Sequence, residues 1–171
     1  KYRNVPCVVQ GIRFDSKRLD YTHIEPNWMN GLPGDIDAVI HCAGGGLGLR
    51  GCYLPASEFY KLFMVNLWGA AEINRIVAPV MQERRHGYIV HVCSIASGEA
   101  IGSVGYNTVK AALAAYTRSL GRELARYGVV VTGIAPGGFR APGNAMERLK
   151  VNNPEAYEDF VSKRLPRRKI G

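Results

Sequence analysis

Three short apolar runs, separated by stretches of helical periodicity, leave this chain very few folds to choose from. The first, Asp37-Ala-Val-Ile-His-Cys42, lies between Gly34 and Gly44. The second is Tyr88-Ile-Val-His-Val-Cys93, and the third, Val129 to Ala135, is closed by Pro136-Gly137. Runs this short and continuously apolar predict parallel strands buried on both faces. Between the first two, Phe59, Phe63 and Leu67 recur at helical spacing in a segment reaching Arg85, with Ser57 expected as N-cap and Gly87 as stop. Between the second and third, Val109, Ala112, Leu113, Tyr116, Leu120 and Leu124 form one stripe from Tyr106 to Tyr127, and Gly128 ends it. Strand, helix, strand, helix, strand predicts right-handed crossovers and an α/β, doubly wound parallel sheet. Upstream, Val8 to Phe14 predicts a further strand ending at Asp15, with a short helix after it to about Gly31. Beyond Pro136 the chain is polar and basic, and a mobile loop plus helix is expected there.

Ligands of such sheets sit beyond the carboxyl ends of the strands. Here those ends carry Asp15, Gly44, Ser94 and Pro136. The most informative chemistry is Tyr106-Asn-Thr-Val-Lys110, because residues four apart share a helix face and a phenol can work beside an ammonium. A free phenol titrates near pH 10, and a cation held beside it favours phenolate, which suits proton exchange with an alkoxide. Taken alone the pair is a weak signal, also met as a surface tyrosine beside a surface lysine. Ser94 strengthens it by following directly on a strand, where its hydroxyl can reach a substrate oxygen; Ser97 is the alternative for that role. Asn66 stands inside the long helical segment, an unfavourable place on propensity alone.

These pieces together are similar to the short-chain dehydrogenase/reductase family, and to its carbonyl and 3-oxoacyl-carrier-protein reductase branches. The matching segments are Asp37-Ala-Val-Ile-His-Cys-Ala-Gly44, Val65-Asn-Leu-Trp-Gly69, Gly87-Tyr-Ile-Val-His-Val-Cys-Ser94, Tyr106-Asn-Thr-Val-Lys110 and Ile134-Ala-Pro-Gly137, in the family's order and close to its spacings. The resemblance implies a Rossmann-like fold and NAD(P)-dependent hydride transfer between nicotinamide and a carbonyl or secondary alcohol. It further implies a catalytic tetrad of Asn66, Ser94, Tyr106 and Lys110, with a water relay between Asn66 and Lys110. By position, Asp15 matches the acid that bonds the adenine amino group. Ala43 and Gly44 match the loop under the adenine ribose, Tyr106 and Lys110 also contact the cofactor, and Pro136 and Gly137 match the turn beside the nicotinamide. NADP or NAD is the implied cofactor, with Lys1 and Arg3 tilting the expectation toward NADP. A small carbonyl or alcohol substrate, a homotetramer or homodimer packed through the two long helices, and a cytoplasmic location are implied as well. Departures are His41 and Cys42 where the family carries asparagines, Ala141 where a threonine touches the nicotinamide amide, and a serine-to-tyrosine spacing one residue short. The family's first strand, its glycine-rich loop and its second strand would precede Lys1, and its last strand would follow Gly171. The expectation is therefore one dinucleotide-binding domain over residues 1–171, incomplete at both ends and part of a longer enzyme.

Gly46-Leu-Gly-Leu-Arg-Gly51 also fits the dinucleotide-loop pattern, but Pro55 and Ser57 start the next helix too late for a true phosphate loop. A substrate pocket is expected from residues 96–104 and from the segment after Gly138. The net charge of +8 admits an alternative reading as a basic nucleic-acid-binding module, although no aromatic residues interleave with the late cluster Lys163, Arg164, Arg167, Arg168 and Lys169. A dinucleotide-sensing regulator on the same fold is a further alternative. No apolar run is long enough to span a membrane. The four cysteines (Cys7, Cys42, Cys52, Cys93) lack metal or disulfide spacing and read as reduced thiols, Cys42 and Cys93 in buried strands.

Overall fold

The computed structural model describes residues 36–171. The expected strand over Val8 to Phe14, the helix after it, Asp15, Cys7, Lys1 and Arg3 lie outside the described residues. The chain divides into two units at Ile134 and Ala135. In the first, strands β1 (Ala38–His41), β2 (Gly87–Val92) and β3 (Val129–Ile134) pair in parallel in that order. The first crossover is α1 (Ala56–Phe63), a π-helical turn (Met64–Trp68) and α2 (Gly69–Arg84). The second is a short 3₁₀ turn (Ile95–Ser97), then α3 (Val104–Leu124) and another 3₁₀ turn (Ala125–Tyr127). This is the Rossmann-like α/β alternation that the sequence predicts, with a partial sheet.

Two helix ends differ from expectation. Pro55, not Ser57, is the N-cap of α1: its carbonyl accepts from the amides of Glu58 and Phe59 at 3.0 Å, so Ser57 lies inside the first turn. A proline's fixed φ suits helix entry without a side-chain cap. At the far end of α2, Arg85 takes the left-handed conformation (φ 55°) and closes the helix, so Gly87 is not the stop. Gly87 opens β2 instead, where a Cβ would lie 2.5 Å from the Met81 side chain. Gly128 does end the α3 segment as expected, with φ 75°.

Side chains alternate across the sheet. Ile89, His91 and Val129 are buried on the face that α2 and α3 cover, whereas Ile40, Tyr88, Val130 and Ile134 on the other face are about half exposed. Along the covered face the interior is stratified. Ala78, Met81, Ile89, Leu124 and Val129 form an apolar core toward the amino ends of the strands. Polar groups take over toward the carboxyl ends. Cys93 is buried, but Cys42 is exposed, contrary to expectation, because β1 stops at His41 and leaves Cys42 in the following loop.

The second unit contains two helices, α4 (Ala145–Asn152) and α5 (Pro154–Arg164), where a single helix was expected. Asn144 caps α4 by accepting from the Glu147 amide at 2.9 Å, and Asn153 caps α5 by accepting from Ala156 at 3.0 Å. Pro154 follows Asn153 at the first helical position, so the sequence itself ends one helix and starts the next. The Arg140 amide donates to the Gly171 carbonyl at 3.1 Å, tying the last residue to the start of the unit.

Candidate functional site

Just past β1 the backbone of Gly44 and Gly45 takes φ of 150° and 142°, a region that L-residues rarely enter. Asn66 explains how this loop is held. Its side chain is 1% exposed; Oδ1 accepts from the Gly45 amide at 2.9 Å, and Nδ2 donates to the Gly45 carbonyl at 2.9 Å and to Leu62 O at 2.9 Å. The π-helical turn that contains Asn66 departs from regular i to i−4 bonding, the kind of helix irregularity that concentrates at functional sites. The residue that propensity disfavours in a helix is thus a two-sided clamp on a loop.

Lys110 comes to the same place from α3. It is 4% exposed, and its Nζ donates to the Val92 carbonyl at 2.9 Å, at the carboxyl end of β2. Burial holds its ammonium below the usual lysine range, with the Cys93 sulfur pulling the other way. A Cβ added at Gly44 would lie 2.7 Å from Asn66 Oδ1 and 3.1 Å from Lys110 Nζ, so all three residues meet at one point. One turn earlier on α3, the Tyr106 ring centre is 5.9 Å from Lys110 Nζ. Gly46 and Gly102 approach that ring from the two flanking loops, with added Cβ atoms 3.8 Å from Tyr106 Cβ and 2.9 Å from its Cδ1.

Ser94 follows β2 by two residues. Its Oγ accepts from the Ala96 amide at 3.1 Å, which leaves the hydroxyl hydrogen available to donate. Ser97, the alternative for that role, instead donates its hydroxyl to the Ser94 carbonyl at 2.7 Å. Of the two hydroxyls, only that of Ser94 keeps its hydrogen free. Gly44, Asn66, Ser94, Tyr106 and Lys110 therefore gather at the carboxyl end of β1 and β2, Ala43 is exposed beside Gly44, and Pro136, Gly137 and Ala141 belong to the second unit. Among the described residues, no group of three or more His, Cys, Asp or Glu is arranged to hold a metal.

Beneath this site lies a second polar layer that the motifs do not announce. His41 and His91 are register partners on β1 and β2, and their rings stack at 4.9 Å and 10°. Asn74 of α2 bridges them, 2.7 Å from His41 Nε2 and 3.1 Å from His91 Nε2, and donates to Tyr116 OH at 3.3 Å. Thr117 Oγ1 is 3.1 Å from His91 Nδ1 and donates to Leu113 O at 2.7 Å. Desolvation pushes the His91 imidazole down to about 4, with His41 adding to the shift, and burial lowers His41 too, against its bond to the Asn74 oxygen. In the sequence each histidine stands three residues before a marked strand end, Gly44 or Ser94, a relation that becomes informative only with the β1–β2 register.

Comparison with known proteins bears directly on these motifs. The short chain dehydrogenase family model matches residues 14–152. A 2-dehydro-3-deoxy-L-rhamnonate dehydrogenase (NAD(+)) of a Sphingomonas species is 31% identical over 140 residues, 81% of this chain and 54% of that protein. A gluconate 5-dehydrogenase from Burkholderia cenocepacia, solved with NADP and tartrate, superposes with a TM-score of 0.72 at 28% identity, over 85% of this chain and 56% of that one. A 3-oxoacyl-[acyl-carrier protein] reductase from Brucella melitensis with bound NAD gives 0.57 at 30% identity, over 63% and 44%. The chain spans about half the length of the curated relatives it matches.

Proposed function

The chain belongs to the short-chain dehydrogenase family, and from that premise we propose that Asn66, Ser94, Tyr106 and Lys110 catalyse hydride transfer between a nicotinamide cofactor and a carbonyl or secondary alcohol. The observation that carries this reading is the convergence of Asn66 Oδ1 and Lys110 Nζ on Gly44, one helical turn from Tyr106. The residues present fit a dinucleotide. With no Cβ at Gly44, Asn66 and Lys110 close directly on this loop, Ala43 beside it is small and exposed, and Lys110 keeps N–H groups beyond its one bond to Val92 for a ribose hydroxyl. When bound, nicotinamide supplies the acceptor or donor of hydride.

The side chains do the rest. Ser94 donates its hydroxyl to the substrate oxygen and orients it. Tyr106 gives its phenolic proton to that oxygen in reduction, or takes one in oxidation. The Lys110 ammonium favours the charge that develops there and bonds the cofactor ribose. Asn66 keeps Gly45, and with it the cofactor loop, in place; in reduction Lys110 would pass a proton on to the spent Tyr106 phenolate and take its replacement from solvent through water past Asn66, and in oxidation the proton would run the other way. The family resemblance further assigns cofactor contacts to Asp15, which lies outside the described residues, and to Pro136 and Gly137 of the second unit; the cofactor is NADP or NAD. Residues 96–104 would line the substrate side. Half-exposed Tyr60, Trp68 and Val80 along the helical stretch from α1 to α2 support self-association through that helix. Among the described residues no helix is long and apolar enough to cross a membrane.

The test is turnover by the full-length protein, followed by nicotinamide absorbance with both NAD and NADP couples against ketones, oxoacyl thioesters, oxo acids and secondary alcohols. Turnover that Ser94→Ala and Lys110→Met abolish is the expected result. Tight dinucleotide binding with no turnover on any substrate class would instead favour the sensor reading, and salt-dependent capture of random DNA would favour the nucleic-acid one.

A further inference from the structure

The layer beneath the site has one direction of hydrogen bonding that satisfies every member. With Asn74 Oδ1 toward His41, the His41 Nε2–H donates to it. The Asn74 amide nitrogen then donates to a bare His91 Nε2 and to Tyr116 OH. His91 must carry its hydrogen on Nδ1, which donates to Thr117 Oγ1, and Thr117 passes its own hydrogen to Leu113 O. The chain runs from β1 through α2 and β2 to α3 with no donor facing a donor, a condition in which such bonds reinforce one another. Turning the Asn74 amide over would move the His91 hydrogen to Nε2, and Thr117 would then have to leave Leu113 to serve the bare Nδ1.

The members are spaced to act on the site. Asn74 is eight residues beyond Asn66 and Thr117 seven beyond Lys110, about two helical turns deeper on the same helices. His41 and His91 each stand three residues before Gly44 and Ser94. We propose that Asn74 is a positioning residue: it locks His41, His91 and Thr117 into this one direction, fixes the strand ends that carry Gly44 and Ser94, and does so only while both imidazoles are neutral. A proton added at His91 Nε2 meets the Asn74 amide hydrogens. Relief requires the amide to turn over and His41 to move its hydrogen to Nδ1, so one proton disturbs three residues. Among the described residues, the other titratable groups facing His91 are His41 from β1, Tyr116 edge-on from α3 at 5.6 Å, and Cys93 beyond Thr117, while Glu72 of α2 acts on Tyr116. None of these supplies the carboxylate at His91 that would stabilise an imidazolium.

The kinetic consequence rests on the hydride-transfer reading; the hydrogen placement does not. In the full-length protein, histidine-selective nitrogen NMR should show His41 as the Nε2–H tautomer and His91 as the Nδ1–H tautomer, with His91 staying neutral between about pH 8 and about pH 5. Asn74→Asp offers acceptors on both sides, so His91 should take a hydrogen on Nε2 and titrate in the neutral range. The KM for the cofactor should then vary about tenfold across that range, the size of effect typical of lost outer support. In the wild type it stays flat, and kcat at the favoured pH stays within about threefold. If Asn74→Asp does not fold, Thr117→Val and Thr117→Ser replace it: valine should raise the cofactor KM about tenfold, and serine should restore it. Other tautomers in the wild type, an unchanged KM profile while His91 titrates, or valine and serine behaving alike would overturn the proposal. A protein inactive on every substrate would sink the hydride-transfer reading alone. The tautomers and the Gly45 amide shift, which must move with His91 protonation in Asn74→Asp, would then decide this one.

Discussion

The two polar layers between the sheet and its helices come from the same elements and differ in how fully their hydrogen-bonding groups are used. In the lower layer His41, Asn74, His91 and Thr117 each bond to another member, and Thr117 also bonds a helix carbonyl. In the upper layer the buried Lys110 has one bond for three donors, Ser94 uses its oxygen as an acceptor only, and the Tyr106 hydroxyl bonds to no described residue. A saturated buried network rigidifies, whereas incompletely used groups at a strand end are available to a ligand. Stability should therefore follow the lower layer and the chemical step the upper one.

Lys110→Met should break that comparison most visibly if it is wrong. It should cost about 10²–10⁴-fold in turnover without lowering the melting temperature, since it replaces a buried cation with an apolar chain of similar length. Thermal unfolding and steady-state assays on one preparation check both halves. Asn74→Leu should do the opposite. It strands the two imidazole nitrogens that it serves, each unmet buried group costing about 1–3 kcal/mol, and urea titration should record a loss of about 2–6 kcal/mol.

Most of the upper layer could be read from sequence because its residues stand at strand ends or at helical spacing, where position implies direction. Tyr106 and Lys110 needed only their i, i+4 relation. Asn66 stood out by being out of place in a helix, although neither its clamp on Gly45 nor the π-helical turn around it could be inferred. The lower layer was hidden because His41, His91 and Asn74 lie in different elements, and only the β1–β2 register brings them together. Ser57 and Gly87 misled for a related reason. Local propensity marks a cap or a stop, but Pro55 and Arg85 took those places, and Gly87 is glycine because Met81 lies against it.

Gly44→Ala sharpens the comparison from the loop side. Its Cβ would press on Asn66 Oδ1 and Lys110 Nζ at a φ of 150°, a strain of about 1–3 kcal/mol. Weaker cofactor binding measured by calorimetry, by up to about 100-fold, is expected, with the lower layer's histidine spectra unchanged.

A further effect concerns pH. Because folding depresses the His91 imidazole to about 4 from an unfolded value near 6.5, the unfolded chain binds the extra proton between those values. This contribution to stability is fully present above about pH 6.5 and falls as pH drops toward about 4. Denaturation at a series of pH values should show that slope, and His91→Asn should flatten it.

The central claim, that Tyr106 moves the proton in a site held by Asn66 and Lys110, is tested most directly by measuring turnover and cofactor affinity together in Tyr106→Phe. The phenyl ring keeps its packing against Gly46 and Gly102 and loses only the hydroxyl. Turnover should fall about 10²–10⁴-fold while the cofactor Kd changes by less than about threefold. A variant that keeps about a tenth of wild-type turnover, or that loses cofactor binding in step with turnover, would contradict the claim.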